Sequence, residues 1–307
     1  KGRLRALLGS EQTLPFVGTF HALGYRIIDS SKKNRSLTVI DEKTRKALAG
    51  DALAINGVNP KEDGLTPDNL IGLIVEAKQK RISSGDRLND VCPQHLLPDF
   101  SRCYATYEQL LKVNDLADFE DLIFRSTKLL ENDPAVGEQY VGRYTDIFVD
   151  EYQDINAGQY RLVRLLAGAE ADVNIIGDPD QSIYGFRGSK MGCFDWFKQD
   201  YPTTRTLFLT HNYRSTQTIL EASTQVICNN PQLISDSDRR RVYSDIEGRR
   251  TIEVVEAETE KSEAVAIGKT IEKMVGGTGF FSLDSGAVDG NHEGDSFGFA
   301  DIAVLFR

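Results

Sequence analysis

A chain of 307 residues that is 40% hydrophobic can bury a substantial core and has room for two domains, which excludes a disordered or fibrous class. No apolar run approaches the ~20 residues that a membrane-spanning helix needs, and nothing resembles a signal peptide. The formal charge of -10 argues against a uniformly basic nucleic-acid binder, but residues 1–50 carry ten Lys/Arg against four Asp/Glu. Local charge governs phosphate contacts, so the acidic total leaves a DNA-binding groove open. Cys92, Cys103, Cys193 and Cys228 form no CxxC pair, and His21, His95, His211 and His292 have no zinc-ligand spacing. Reduced thiols and a cytoplasmic setting are expected.

Residues 1–9 read as the tail of a basic helix. Phe20, Leu23, Ile27 and Ile28 then have helical spacing, with Thr19 as a cap. Between about 35 and 118 short helical patterns alternate with polar turns, and Thr66-Pro67 opens the clearest of these helices. No strand alternation is evident there. Residues 119–131 predict another amphipathic helix, followed by an apolar strand at Asp146–Val149, a helix around Gln159–Leu166 and a second strand at Val173–Ile176. This rhythm predicts an α/β fold, a mainly parallel sheet covered by helices. Further strands are predicted at Thr206–Leu209, Thr251–Val255 and Asp301–Phe306. Helices are predicted from Ser215 or Thr216 through Ile227 and over Glu260–Val275, with an exposed glycine-rich loop over Gly276–Gly298.

The strand Asp146–Val149 delivers two carboxylates, Asp150 and Glu151, to its C-terminal end, where open α/β sheets bind ligands. In phosphate-chain hydrolysis one such carboxylate holds Mg²⁺, and its neighbour can orient or deprotonate the attacking water. An ordinary acidic strand end is the bland alternative. Gly177-Asp-Pro-Asp-Gln181 follows the second strand, and the amide of Gln181 has the donor and acceptor needed to read a water and a terminal phosphate oxygen together. Tyr184, Phe186 and Arg187 place two aromatics and a cation within four residues, suited to stacking bases and holding phosphate or, alternatively, to anchoring the loop. In Asn212-Tyr213-Arg214-Ser215 the guanidinium can grip two phosphate oxygens and the phenol ring can stack on a base. A surface salt bridge and a core aromatic are the competing explanations.

Thr19-Phe-His21-Ala-Leu, Phe119-Glu-Asp-Leu-Ile, Val149-Asp-Glu-Tyr-Gln-Asp154, Gly177 to Gly188, Asn212-Tyr-Arg-Ser-Thr216 and Asp301 to Arg307, in this order, resemble the motifs of UvrD/Rep/PcrA-type superfamily 1 DNA helicases. The resemblance spans nearly the whole chain and is weakest over 35–118 and the glycine-rich loop. It implies a RecA-like P-loop NTPase motor domain over 1–34 and 119–204, a mostly helical inserted subdomain over 35–118, and the first part of a second RecA-like domain over 205–307. It further implies ATP and Mg²⁺ as ligands and 3′–5′ translocation on single-stranded DNA or tailed duplex, with repair or replication proteins as partners. On this resemblance Asp150 and Glu151 form the metal-facing pair, with Glu151 activating water. Gln181 and Arg214 contact the γ-phosphate and Tyr213 packs on adenine. Thr19, Phe20 and His21 line the DNA path, with Tyr184, Phe186 and Arg187 near the junction of the two sites.

Several parts of that pattern are missing from these 307 residues: no GxxxxGK[ST] phosphate loop occurs, Gly276-Gly-Thr-Gly279 has no following lysine, and the family's second insertion and later C-terminal motifs, with a further phosphate-contacting arginine, are not among them. Both ends read as cuts within a longer chain, and these residues alone are expected to have negligible ATPase activity. A nuclease–helicase fusion is a neighbouring expectation. A degenerate helicase-like module for DNA binding or scaffolding is the alternative from a different class.

Overall fold

A computed structural model describes residue 6 and residues 15–31, 37–61, 64–182, 192–229, 242–248, 252–275 and 297–306. They fall into two compact units, residues 1–207 and 208–307. The basic helix expected over residues 1–9 lies outside the described residues apart from Ala6, and so does most of the glycine-rich loop.

In the first unit, helix α1 (Phe20–Ser31) opens with the Thr19 hydroxyl accepting the N–H of Ala22 at 3.2 Å. Its buried face, Leu23, Gly24, Ile27 and Ile28, follows the predicted spacing. Gly24 is required by contact: a Cβ there would lie 2.2 Å from the carbonyl oxygen of Leu122.

The chain then enters a block of three helices, α2 (Glu42–Ile55), α3 (Pro67–Gln79) and α4 (Leu97–Val113). Asp41 caps α2 through the N–H of Thr44, and Thr66 caps α3 through Asn69, with Pro67 where the first turn has no use for an N–H. The block has its own core, built on residues such as Leu53, Leu70, Ile74, Phe100, Tyr104 and Leu111. Strand β1 (Thr38–Val39) leads into it and strand β2 (Leu116–Ala117) leads out, paired in parallel. No strand was expected in this stretch. Two residues are too few for a period-2 pattern to show.

Helix α5 (Asp121–Asn132) begins two residues later than the spacing predicted, because Asp118 and Asp121 each accept the other's backbone N–H and hold the intervening residues in a turn. Helix α6 (Pro134–Tyr140) follows, capped by Asp133. Strands β3 (Asp146–Val149) and β4 (Asp172–Ile175) pair in parallel with Asp146 opposite Asp172 and Val149 opposite Ile175. Ile176 ends one residue beyond β4 but still donates to Val149, at 2.8 Å. The crossover between the strands is helix α7 (Ala157–Ala167), opened by an Asn156/Gln159 capping box. Helix α8 (Cys193–Asp200) closes the unit. Leu23, Ile27, Ile123, Leu162 and Leu166 form one apolar cluster, and Val149, Tyr152, Val163 and Phe197 form another. The result is a mixed α/β unit in which small parallel sheets are flanked by helices.

The second unit contains helices α9 (Gln217–Ile227) and α10 (Glu260–Val275) and an isolated parallel bridge between His211 and Tyr243. None of the strands expected at 206–209, 251–255 and 301–306 forms among the described residues, and Phe299–Asp301 is a 3₁₀ turn. Leu209 is 89% exposed, Val254 90% and Leu305 95%. An apolar run becomes a strand only when a neighbour takes its N–H and C=O groups, and these runs have no such ladder among the described residues. Among the described residues no helix is long and apolar enough to cross a membrane.

Candidate active site

The carboxylates sit where β3 ends. Asp150 is exposed, and its Oδ1 accepts the N–H of Glu151 at 3.0 Å. Glu151 has φ 50°, a left-handed backbone that a non-glycine residue adopts at a cost of order 1–3 kcal/mol. The next residue turns sharply inward: Tyr152 is fully buried, donates its N–H to the Ile176 carbonyl at 2.9 Å, and meets Phe194 and Phe197 edge-on. Burial also raises the phenol pKa of Tyr152 and pushes the neighbouring Cys193 thiol up to about 11. The turn after β3 is therefore anchored by a dry aromatic contact while its two carboxylates face solvent.

The loop after β4 is tied to this turn by a residue to which the sequence reading assigned no role. Gln153 is buried; its Nε2 donates to Glu151 Oε2 at 2.7 Å, and its Oε1 accepts the N–H of Asp178 at 3.1 Å. Gly177 passes so close that a Cβ would lie 2.5 Å from Gln153 Oε1 and 3.0 Å from the Tyr152 nitrogen. Pro179–Gln181 forms a 3₁₀ turn in which Asp178 accepts from the N–H of Asp180 and from Gln181 Nε2, the latter at 2.8 Å. The Glu151 carboxylate and the Gln181 loop are thus coupled through one buried amide. The sequence carried only half of the signal: a glutamine two residues past Glu151 has a local partner in reach, but its contact with Asp178, 25 positions on, comes from the fold.

Thr19 is exposed and occupied as a helix cap. Phe20 packs against both apolar clusters of the α/β core. His21 stacks on Phe119 with ring centroids 3.7 Å apart, and burial lowers its pKa. Tyr184, Phe186 and Arg187 lie outside the described residues.

In the second unit, Asn212 Oδ1 accepts the N–H groups of Arg214 at 2.8 Å and Ser215 at 2.7 Å, forming a side-chain turn ahead of α9. Tyr213 is 80% exposed, with its ring centroid 4.2 Å from that of His211. It is therefore not a core aromatic. Arg214 is exposed and forms no ion pair among the described residues.

Asp150 supplies a hard oxygen donor at a solvent-facing strand end, and no cluster of three or more His, Cys, Asp or Glu that could hold a metal occurs among the described residues. That donor set fits Mg²⁺, which keeps its waters and is often held by one or two carboxylates together with a phosphate chain. It does not amount to a protein-only metal cage.

An acid-ended parallel strand, coupled to a second loop and followed by a separate unit, defines a mixed α/β protein whose candidate site lies at the edge of its sheet. Residues 1–202 match the UvrD/REP helicase N-terminal domain and residues 207–307 the UvrD-like helicase C-terminal domain, so the chain belongs to the UvrD-like helicase family. It is 32% identical over 311 residues to the ATP-dependent DNA helicase PcrA of Staphylococcus aureus and 35% identical over 314 residues to that of Staphylococcus epidermidis. Both alignments cover 100% of this chain and 39% of the relative, so the chain spans well under half the length of these curated relatives.

Proposed function

We propose that the protein is an ATP-driven helicase or translocase on single-stranded DNA, moving 3′–5′. The observation that carries this reading is the Glu151–Gln153–Asp178 connection, which joins a water-activating carboxylate to the loop holding Gln181. In this reading the first unit is a RecA-like motor domain interrupted by the helical block, and the second unit begins another. Asp150 holds the metal with Glu151 beside it, and Mg²⁺ supplies charge neutralisation at the phosphate oxygens. Glu151 orients the attacking water and takes its proton, held for the task by Gln153. Gln181 reads the γ-phosphate and is the point at which hydrolysis and DNA binding are coupled. Arg214 is a second γ-phosphate contact and Tyr213 a stacking surface for adenine, roles supported by their exposure on the Asn212 turn. Thr19, Phe20 and His21, with Tyr184, Phe186 and Arg187, are assigned to the single strand; a role in DNA repair or replication is proposed from the family alone.

The test is ATPase activity of the full-length protein with and without oligo(dT). Stimulation by DNA is expected in the wild type and is lost in Gln181→Ala. In Glu151→Gln, kcat falls by about 10²–10⁴-fold with little change in KM for ATP, the range for loss of a general base. An unstimulated wild type, or a Glu151→Gln enzyme of ordinary speed, overturns the assignment. Residues 1–307 by themselves are expected to turn over below ~1 s⁻¹, because electrostatic stabilisation dominates phosphoryl transfer and no lysine-bearing phosphate loop occurs among them.

A further inference from the structure

The least expected group in the first unit is a buried lysine. Lys78, on α3, has no exposed side-chain surface, and its ammonium meets Asp118 Oδ2 at 2.7 Å, Asp121 Oδ1 at 2.8 Å and Glu108 Oε1 at 2.8 Å. Asp118 and Asp121 are equally buried. The hydroxyl of Tyr107, on α4, donates to Asp118 Oδ2 at 3.1 Å, and Arg125 pairs with Asp121 Oδ2 at 2.7 Å. Arg45, on α2, reaches Glu120 at 3.1 Å. All three helices of the block therefore converge on the turn Asp118–Asp121, which is also closed on itself by reciprocal bonds between its two end residues. Burial by itself lowers the Lys78 pKa; the carboxylates outweigh it and hold the ammonium well above its ordinary value.

Buried ion clusters of this kind seldom add stability beyond what apolar side chains of the same volume would provide, and their best-attested use is to fix a register. The register fixed here is visible. In the turn, Asp118, Glu120 and Asp121 are held inward by ion pairs, while Phe119 is half-exposed and carries the stacked His21 ring. The backbone of α1 is pressed onto that of α5 at Gly24, one helical turn further along.

We propose that Lys78 is a positioning residue for single-strand binding: by clamping Asp118 and Asp121 it sets the turn that bears Phe119, and through the Phe119–His21 stack it fixes the first turn of α1 against the nucleic acid. The proposal rests on the single-strand reading given above. It makes the helical block a brace for the DNA-facing end of α1, with the ammonium of Lys78 as the joint.

The experiment uses the full-length protein, with oligo(dT) binding followed by fluorescence anisotropy. Lys78→Met is expected to weaken binding about tenfold, equivalent to about 1.4 kcal/mol. The DNA concentration for half-maximal ATPase rises with it, while kcat at saturating DNA is unchanged. Leu70→Ala, in the core of the same block, is the control for destabilisation alone and should bind within about twofold of wild type. In a double-mutant cycle, Lys78→Met adds nothing to the loss caused by His21→Ala, since both act through one contact. If Lys78→Met does not fold, Asp118→Asn, which keeps the shape of the turn, should show a smaller loss of the same kind. Wild-type binding in a folded Lys78→Met or Asp118→Asn variant, or additive losses with His21→Ala, overturns the proposal while leaving the single-strand reading intact. Undiminished binding by His21→Ala overturns the proposal alone, whereas absence of oligo(dT) binding by the wild type overturns both.

Discussion

Residues 1–202 and residues 207–307 match the N- and C-terminal domains of one family, yet the described parts of the two compact units are built differently. In the first unit almost every apolar run finds a partner: β3 has β4, α1 has α5, and the helical block packs around Phe100, Tyr104 and Leu111. In the second, α9 and α10 bury no residue, although α9 is patterned as an amphipathic helix. Local sequence is sufficient to make a helix, whose hydrogen bonds close within the segment. A strand has no such self-sufficiency, which is why Val254 and Leu305 remain in solvent while Val149 is buried.

Paired truncations give the largest test of that contrast. Leu162 is fully buried between α1, α5 and the sheet, so Leu162→Ala should cost about 2–5 kcal/mol, from lost burial plus the cavity left behind. Leu305→Ala removes the same atoms from a side chain already in water and should change stability by less than about 0.5 kcal/mol. Urea denaturation of the 307-residue chain measures both. Equal losses would mean that the 302–306 run is packed in solution, and the contrast between the units would disappear.

A smaller effect probes the closest helix contact. Gly24→Ala places a methyl group 2.2 Å from the Leu122 carbonyl oxygen, and that atom is backbone in α5 and cannot rotate away. Overpacking of this kind typically costs about 1–3 kcal/mol. Gly268→Ala, in α10 of the second unit, meets nothing within 4 Å and should be neutral or stabilising by up to about 1 kcal/mol. The two substitutions should therefore differ in sign, as read from thermal midpoints.

The sequence was informative where physics is local. Thr19, Thr66-Pro67 and the spacing over 260–275 announced helices that form close to the predicted bounds, and the run Asp146–Val149 announced a strand with Asp150 and Glu151 at its end. It was uninformative where a partner decides. Thr206–Leu209 is as apolar as β3, and nothing in four residues says which run will find a ladder. It was silent about Lys78, because the carboxylates at 108, 118 and 121 are brought to this lysine from two other segments. Gln153 shows the same limit within the site. Its two bonds reach a residue two positions away on one side and 25 positions away on the other, and only the fold reveals the second.

The smallest effect expected is a pH dependence, and its sign separates two groups that sit close together in the first unit. His21 is held neutral by burial, with its folded pKa below the ordinary 6.5. The unfolded chain therefore binds a proton that the native state refuses, so stability from this group is complete above pH 6.5 and is lost as pH falls below it. Asp121 acts in the opposite sense. Burial first, and then the neighbouring Asp118 and Glu108 carboxylates, push it up to about 6, so the native state keeps a proton that the unfolded chain releases near 3.8. Its contribution is fully present below 3.8 and declines as pH rises toward 6. A wild-type profile alone would mix the two slopes. His21→Gln should remove the rising arm just below pH 6.5 and leave the lower window unchanged, whereas Asp121→Asn should flatten only the lower window. If His21→Gln leaves the arm in place, the imidazole is more exposed in solution than its stack on Phe119 indicates.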